Sequence, residues 1–280
     1  MASARRTDMA SELIEDVGGE LSAERGISVK ELDINGFSVT DVEVLNEKGS
    51  ALLGRDPGSY YTLSLPASPA ELSGCEEALS RLISRLIPDR AHCPSVLVAA
   101  LGNPDITPDS VGPLCASGII VSRHLKLSDP SRFSFLSDVA LCRTGVLGTS
   151  GVESAQQILS FCSLVHPGCV IIVDALACRE PEGLCQSIQI SDTGIAPGSG
   201  VGNDRERIDS GFLGVPVISI GVPTVMDAGR FFSPKGNVPM FVTPRDIDAK
   251  VRRLSRLISR ALNLALHPGL SVSDIDLLLG

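Results

Sequence analysis

The sequence predicts an α/β fold, a three-layer α/β/α arrangement with a mainly parallel central sheet and a β-rich N-terminal part. From residue 68 onward, apolar runs typical of buried parallel strands alternate with helical patterns. Residues 27–65 instead alternate apolar and polar side chains, as half-buried strands do. Aromatic residues make up 4% of the 280 residues and Trp is absent, so the core has to be built from aliphatic side chains.

The N-terminal part is predicted to contain a short helix and three strands. A helical pattern around Ala10–Ile14 follows a polar, charged start. The segments ISVKELDING, FSVTDVEVLN and YYTLSLP predict strands. Asn35-Gly36 predicts a tight hairpin turn between the first two, because both residue types accept positive φ angles. We therefore expect a β-rich region at one edge of the protein.

Capping signals and apolar runs predict the later elements. Helix starts are expected at Ser68–Glu71, Thr107–Asp109, Ser150–Glu153 and Thr243–Asp246. The last of these helices is expected to end at His267-Pro268-Gly269. Apolar runs predict strands at 95–102, 169–176, 187–191 and 215–221.

Composition and charge exclude several classes of function. The net charge of −9 and the pI near 5.0 argue against a nucleic-acid partner, since such proteins present basic faces to phosphate groups. The eight cysteines form no C-x-x-C pair, which indicates reduced core thiols and neither disulfides nor a zinc site. The N-terminus lacks a signal-peptide pattern, and no apolar run is long enough to cross a bilayer. We therefore expect a soluble cytoplasmic protein with no membrane contact.

Acidic residues lie at or just after the carboxyl ends of three predicted strands, where open α/β sheets bind ligands. These are Asp109, Asp174 and Asp192, and they converge on one rim if the strands are parallel neighbours. A position in the first turn of a helix favours the ionised form of Asp109, whereas burial favours the neutral form of Asp174. Such a pair can activate water without a metal. Residues that only start a helix or cap a strand would show the same spacing, so both interpretations stay open.

The densest run of Gly, Ser and Thr is the segment 190–203. Its backbone N–H groups make Gly198, Ser199 and Gly200, with Asp192, candidates for binding substrate or an oxyanion, although a tight turn is the simpler interpretation. The segment matches neither the phosphate-binding loop nor the dinucleotide fingerprint, and no G-x-S-x-G or H-E-x-x-H motif occurs. We expect neither a cofactor nor a bound metal.

Eight motifs, in order along the chain, resemble blocks of the germination protease family. They are RTDMASE, ALGNPDITPDSVGP, SRHL, TGVLGTSGVES, VIIVDALACR, QISDTGIAPGSGVGN, LGVPVISIGVPTVMDA and VTPRDIDAKV. Members of this family are aspartic-type endopeptidases that degrade small acid-soluble spore proteins during germination. The resemblance implies a fold related to hydrogenase-maturation endopeptidases, a homotetramer in the cytoplasm of the spore core, and catalysis by Asp109 and Asp174.

The resemblance also implies a zymogen that processes itself. The matching segment is RTDMASE, which predicts self-cleavage between Asp8 and Met9. Residues 1–8 would then be a propeptide and residues 9–280 a single peptidase domain. The chain departs from the family at Pro104-Asp105, where Trp-Asn is usual, and in a short linker between VPTVMDA and VTPRDID, where many relatives carry a long insertion.

Two alternative functions stay open. The chain could be a metal-assisted peptidase like the hydrogenase-maturation enzymes, with one or both aspartates as ligands. It could also be a non-catalytic protein that keeps the fold and binds spore proteins.

Overall fold

The structure is a computed structural model that describes residues 7–17, 23–89, 93–202, 205–228 and 240–280. Most of the predicted propeptide, residues 1–6, and most of the short linker, residues 229–239, lie outside the described residues. The predicted self-cleavage site at Asp8 and Met9 lies within them.

One sheet runs through the described part of the chain. Its nine strands are β1 (Ile27–Ile34), β2 (Phe37–Val44), β3 (Gly58–Ser64), β4 (Ser95–Ala100), β5 (Asp138–Arg143), β6 (Cys169–Cys178), β7 (Ser187–Ser191), β8 (Val217–Asp227) and β9 (Phe241–Val242). The order is β1-β2-β3-β7-β8-β6-β4-β5, and β9 pairs with β8. The neighbours β5, β4, β6 and β8 are parallel, whereas the other pairs are antiparallel. The central parallel strands confirm the predicted α/β class.

Helices pack against both faces of the sheet. They are α1 (Ala10–Val17), α2 (Glu47–Leu53), α3 (Cys75–Leu86), α4 (Val111–Ala116), α5 (Arg123–Ser128), α6 (Leu147–Ser150), α7 (Ser154–Val165), α8 (Ser210–Leu213), a long helix (Ile247–Leu266) and a last helix (Val272–Leu279).

The three layers follow from the alternation of side chains along β6. Ile171 and Val173 pack in one core with α3, α4 and the long helix. Val170 and Ile172 point to the opposite face and pack with α7 and α8. Because successive residues of a strand face opposite sides, a continuously apolar strand needs cover on both faces. This arrangement confirms the predicted α/β/α layering.

The N-terminal strands extend the same sheet as an antiparallel region. Asn35 and Gly36 have φ angles of 57° and 84°, and they join β1 to β2 with Ile34 opposite Phe37. The predicted hairpin turn is therefore confirmed. β3 continues the region by pairing with β7, so this part forms one edge of the sheet.

Several predicted helix starts were wrong by a few residues. The Ser68 segment forms a 3-10 turn, and α3 begins only at Cys75. α7 begins at Ser154 because the Ser150 hydroxyl accepts a hydrogen bond from the Val152 N–H and closes a local turn instead. Short polar side chains often bond their own neighbouring backbone in this way. The last helix was not predicted from the sequence, although it has a capping box formed by Ser271 and Asp274.

Candidate active site

A cavity of about 500 Å³ opens at the carboxyl ends of the parallel strands. Its walls come from the segments that follow β4, from the end of β6, from β8 and from β9. This is the edge at which parallel α/β sheets bind ligands. Both predicted catalytic aspartates, Asp109 and Asp174, line the cavity.

Asp109 is held by the loop that leaves β4. It ends a 3-10 turn, Thr107–Asp109, and its carboxylate accepts a hydrogen bond from the Asn103 N–H at 2.8 Å. Gly102 has a φ of 113°, and a side chain there would overlap the Asp109 carbonyl oxygen. A glycine is therefore required for the loop to fold back on Asp109.

Burial raises the pKa of Asp109, while the Asn103 N–H and the charge of Arg205 act to lower it. The sequence predicted that a position at a helix start would favour the ionised form of Asp109. This prediction was wrong, because the net effect of its surroundings is to raise the pKa of Asp109. α4 begins only at Val111, and the loss of solvent around the carboxyl outweighs the favourable dipoles.

Asp174 lies within β6, with a relative exposure of 5%. Its carboxylate accepts a hydrogen bond from the Ala175 N–H at 2.9 Å. Burial raises the pKa of Asp174 well above its ordinary value, and the charge of Asp109 raises it further. The predicted preference of Asp174 for its neutral form therefore agrees with its environment.

The close approach of α4 to the sheet brings the two aspartates together. A side chain at Gly112 would overlap the Leu101 carbonyl oxygen and lie 2.7 Å from that of Val173. The Leu101 N–H donates to the Val173 carbonyl at 2.9 Å, which joins the ends of β4 and β6. The charge of Asp109 raises the pKa of Asp174, so the buried carboxyl is affected by the charge of its neighbour.

Asp192 does not share this rim, so the expectation that three acidic residues would converge there was wrong. β7 runs antiparallel to β8, so its carboxyl end points to the opposite edge of the sheet. The Asp192 carboxylate instead accepts a hydrogen bond from the Ser59 N–H at 2.8 Å. Apolar content predicted the strand correctly but contained no information about its direction.

The glycine-rich segment contacts an acidic side chain. Gly198 lines the cavity, and Ser199–Val201 form a 3-10 turn. The Ser199 hydroxyl donates to the Asp8 carboxylate at 2.8 Å. A side chain at Gly200 would overlap the same carboxylate, so glycine leaves room for it.

Asp8 is held at the end of β6 by backbone and side-chain contacts. Its N–H donates to the Ala177 carbonyl at 2.9 Å, and its carboxylate accepts from the Ala177 N–H at 2.9 Å. The Gln189 amide donates to the Asp8 carbonyl at 3.0 Å. Asp8 lines the cavity, and the following Met9 is 2% exposed. The predicted self-cleavage segment therefore lies beside the predicted catalytic pair.

Comparison with known proteins decides the family. The model of the germination protease family matches residues 4–235. The chain belongs to this family. It is 36% identical to the germination protease of Caldanaerobacter subterraneus subsp. tengcongensis over 321 aligned residues, covering 98% of each chain. It is 31% identical to that of Clostridium perfringens over 317 residues, with 97% of this chain and 98% of the relative covered.

A further relative and a solved structure extend the comparison. The germination protease of Bacillus mycoides is 37% identical over 236 residues, covering 80% of this chain and 63% of the relative. The [NiFe] hydrogenase maturation protease HycI from Thermococcus kodakarensis has a TM-score of 0.37 and 17% identity, covering 65% of this chain and 98% of its own. As a germination protease family member, the chain is a peptidase with a role in spore germination.

Arg205 is a cavity residue of this germination protease family member that the sequence analysis missed. It is the single Lys or Arg among the described residues that line the cavity. Its Nη1 lies 3.8 Å from Glu153 Oε2. The positive charge of Arg205 lowers the pKa of both Asp109 and Asp174. The one sequence signal was its position just after the glycine-rich run.

No cysteine is among the described residues that line the cavity. All eight cysteines are buried, and burial raises the pKa of Cys178 to about 12, which keeps this thiol protonated and unreactive. In the described ranges, no group of three or more His, Cys, Asp or Glu residues could hold a metal ion. No helix within those ranges is long and apolar enough to cross a membrane.

Proposed function

We propose that the chain is an endopeptidase that hydrolyses small acid-soluble spore proteins with the Asp109–Asp174 pair and removes its own residues 1–8. The single observation that carries the proposal is the cavity at the carboxyl ends of the parallel strands, lined by two carboxyls of raised pKa. Titratable groups shifted by burial and by each other cluster at catalytic sites. Residues 9–280 would form the single peptidase domain.

The pair supplies a proton acceptor and a proton donor for peptide hydrolysis. An ionised carboxylate takes a proton from water while the water oxygen forms a bond to the peptide carbonyl carbon. The neutral carboxyl then gives its proton to the leaving nitrogen as the C–N bond breaks. The two carboxyls have exchanged roles by the end of the step, so one proton passing between them restores the starting state.

The surroundings of the two carboxyls favour one assignment of roles. Asp174 is the more deeply buried, and both its burial and the charge of Asp109 raise its pKa. The Asp109 carboxylate accepts a hydrogen bond from the Asn103 N–H, and this bond favours the ionised form of Asp109. We assign Asp174 as the acid and Asp109 as the base in the first step.

The contacts of Asp8 support self-cleavage between Asp8 and Met9. The segment pairs with Ala177, three residues beyond Asp174 on the same strand. The Ala177 N–H and the Ser199 hydroxyl both bind the Asp8 carboxylate. These groups would bind an acidic side chain of a spore protein in the same way, so substrate and propeptide would share one binding mode.

The proposal extends to assembly and location through the family resemblance. We propose a homotetramer that works in the cytoplasm of the spore core and binds neither membrane nor nucleic acid. Light scattering after size-exclusion chromatography measures the mass in solution. A mass near four times 29.4 kDa supports the tetramer, and a mass near 29.4 kDa contradicts it.

The test uses the purified full-length chain with a small acid-soluble spore protein, and intact mass spectrometry detects both substrate fragments and loss of residues 1–8. Asp109→Asn and Asp174→Asn keep the shape of each side chain but remove its proton transfer. We expect discrete fragments from the wild type and a rate that is about 10²- to 10⁴-fold lower in each variant. Circular dichroism establishes that both variants are folded.

The same experiment separates the alternative functions. Cleavage that is unchanged by EDTA supports the metal-free pair, whereas loss with EDTA that added Zn²⁺ restores supports a metal-assisted peptidase. A folded wild-type chain that binds the spore protein without cutting it, even after residues 1–8 are removed, supports the binding protein.

A further inference from the structure

We infer that Arg205 is a catalytic residue, whose guanidinium binds the carbonyl oxygen of the scissile peptide and stabilises the negative charge that develops on it. The inference rests on the proposed function, because it assumes peptide hydrolysis in the cavity that Asp109 and Asp174 line. No motif of the sequence analysis included this residue.

Arg205 lies in the wall of the candidate active site. It follows the glycine-rich turn and lines the same cavity as the two aspartates. Its side chain is 25% exposed, so most of that side chain is removed from solvent. A charge in such a site acts more strongly on a nearby oxyanion than the same charge in water.

The described cavity lining has more acidic than basic side chains. Three lining residues carry carboxyl groups, Asp8, Asp109 and Asp174, and Arg205 is the one basic side chain among the lining residues that the structure describes. When water attacks the peptide carbonyl, its oxygen becomes negative in a site that already holds a carboxylate. A permanently charged guanidinium with several N–H donors is suited to bind that oxygen, and it gains or loses no proton in the step.

The charge of Arg205 affects both catalytic candidates. Its charge lowers the pKa of both aspartates, so the guanidinium acts on the two groups that handle protons. Removing it should therefore change the pH dependence of the reaction as well as its rate. A residue that only supported the fold would not have this second effect.

The start of helix α7 and the residue before it hold the Arg205 segment. Glu153, which directly precedes the helix, lies 3.8 Å from the guanidinium, a distance at which it orients the cation by charge. The Gln156 amide donates to the carboxylate of the neighbouring Glu206 at 2.9 Å. Glu153 is therefore a positioning residue that acts through Arg205.

The test compares Arg205→Gln, Arg205→Lys and Glu153→Gln with the wild-type full-length chain. The substrates are a small acid-soluble spore protein and a synthetic peptide of residues 2–16. For Arg205→Gln we expect kcat to fall by about 10²- to 10³-fold with KM changed less than about threefold. The acidic limb of the pH profile should move to higher pH, because the cation that lowers the pKa of both aspartates is lost.

The other variants separate charge from geometry. Arg205→Lys keeps the charge but not the planar set of donors, so its acidic limb should stay near that of the wild type while kcat recovers only partly. Glu153→Gln should lower kcat by a smaller factor than Arg205→Gln. Arg132→Gln removes one exposed positive charge away from the cavity and should change neither quantity.

Three outcomes would overturn the inference. A folded Arg205→Gln variant with wild-type kcat and pH profile removes the catalytic role. A loss of activity that only follows the unfolded fraction, measured by thermal denaturation, makes the residue structural. If the wild type does not cleave, or if Asp174→Asn cleaves as well as the wild type, the proposed function fails and this inference fails with it.

Discussion

The parallel and antiparallel regions of this sheet differ in where they place the acidic side chains at the ends of their strands. In the parallel region, β4 and β6 end beside one another, and the segments that follow place Asp109 and Asp174 in one cavity. In the antiparallel region, β7 turns its carboxyl end to the opposite edge, where Asp192 bonds the Ser59 N–H.

The difference shows why function collects in one region. Parallel strands bring all their carboxyl ends to one edge, so side chains that are distant in sequence meet there. Antiparallel strands distribute their ends between two edges, and their turns are short and local. The antiparallel region contributes Gln189 to this site, and that side chain holds Asp8 from the middle of β7.

The largest expected contrast is in the stability that is lost when one glycine of each region is replaced by alanine. Gly102 has a positive φ, and a side chain there would overlap the Asp109 carbonyl, whereas Gly36 in the β1–β2 hairpin has a positive φ with nothing within 4 Å. We expect Gly102→Ala to lower the free energy of unfolding by about 2–4 kcal/mol and Gly36→Ala by about 1 kcal/mol. Urea denaturation measures both values.

The outcome also reports on the packing of the site. Equal losses in the two variants would mean that backbone strain alone matters and that the loop around Asp109 is loosely packed. Such a result would contradict the close approach described for this loop.

A smaller contrast concerns the contact between the glycine-rich turn and the N-terminal segment. Gly200→Ala should displace the Asp8 carboxylate and slow self-cleavage by about tenfold, since two of its hydrogen bonds depend on that position. Gly148→Ala is the matched control, because a side chain there has nothing within 4 Å. The rate is followed as the loss of residues 1–8 by intact mass. An unchanged rate in Gly200→Ala would show that the Asp8 carboxylate does not direct cleavage.

The smallest contrast concerns the change in the free energy of unfolding when Asp174 or Asp192 is replaced by Asn. We expect an increase for Asp174 in the parallel region and a decrease for Asp192 in the antiparallel region. Asp174 has a raised pKa in the folded chain, so the folded state binds its proton more tightly than the unfolded state. Stability from this group is present at low pH and is lost as pH rises from the unfolded Asp pKa of about 3.9 through the raised folded pKa. Asp174→Asn should therefore increase the free energy of unfolding at pH 7 by about 1 kcal/mol.

Asp192→Asn is the comparison for that prediction. Asp192 is exposed and accepts one hydrogen bond from Ser59, so its replacement should lower the free energy of unfolding by about 0.5 kcal/mol or less. Denaturation of both variants between pH 4 and 8 measures the difference. A gain for Asp174→Asn that does not shrink as the pH falls would contradict the role of the buried charge.

Sequence patterns predicted which helices and strands are present better than they predicted the residues at which these elements begin and end. β7 was predicted at its observed residues, and the β1–β2 turn followed from Asn35-Gly36. The starts of α3 and α7 were misplaced, because Ser68 and Ser150 lie in local turns that resemble helix caps in sequence. The choice between cap and turn depends on how the next residues pack, which no local signal contains.

The sequence by itself determined the α/β class and the hairpin, and it indicated Asp109 and Asp174 as acidic residues near the carboxyl ends of predicted strands; its motifs identified the resemblance to the germination proteases. Each of these follows from periodicity or from adjacent residues. Only the tertiary structure decided the direction of β7, the contact of Asp8 with Ala177 and Ser199, and the presence of Arg205 beside the aspartates. Periodicity reports which side of an element is buried, whereas strand direction and contacts between distant segments depend on how the whole chain packs.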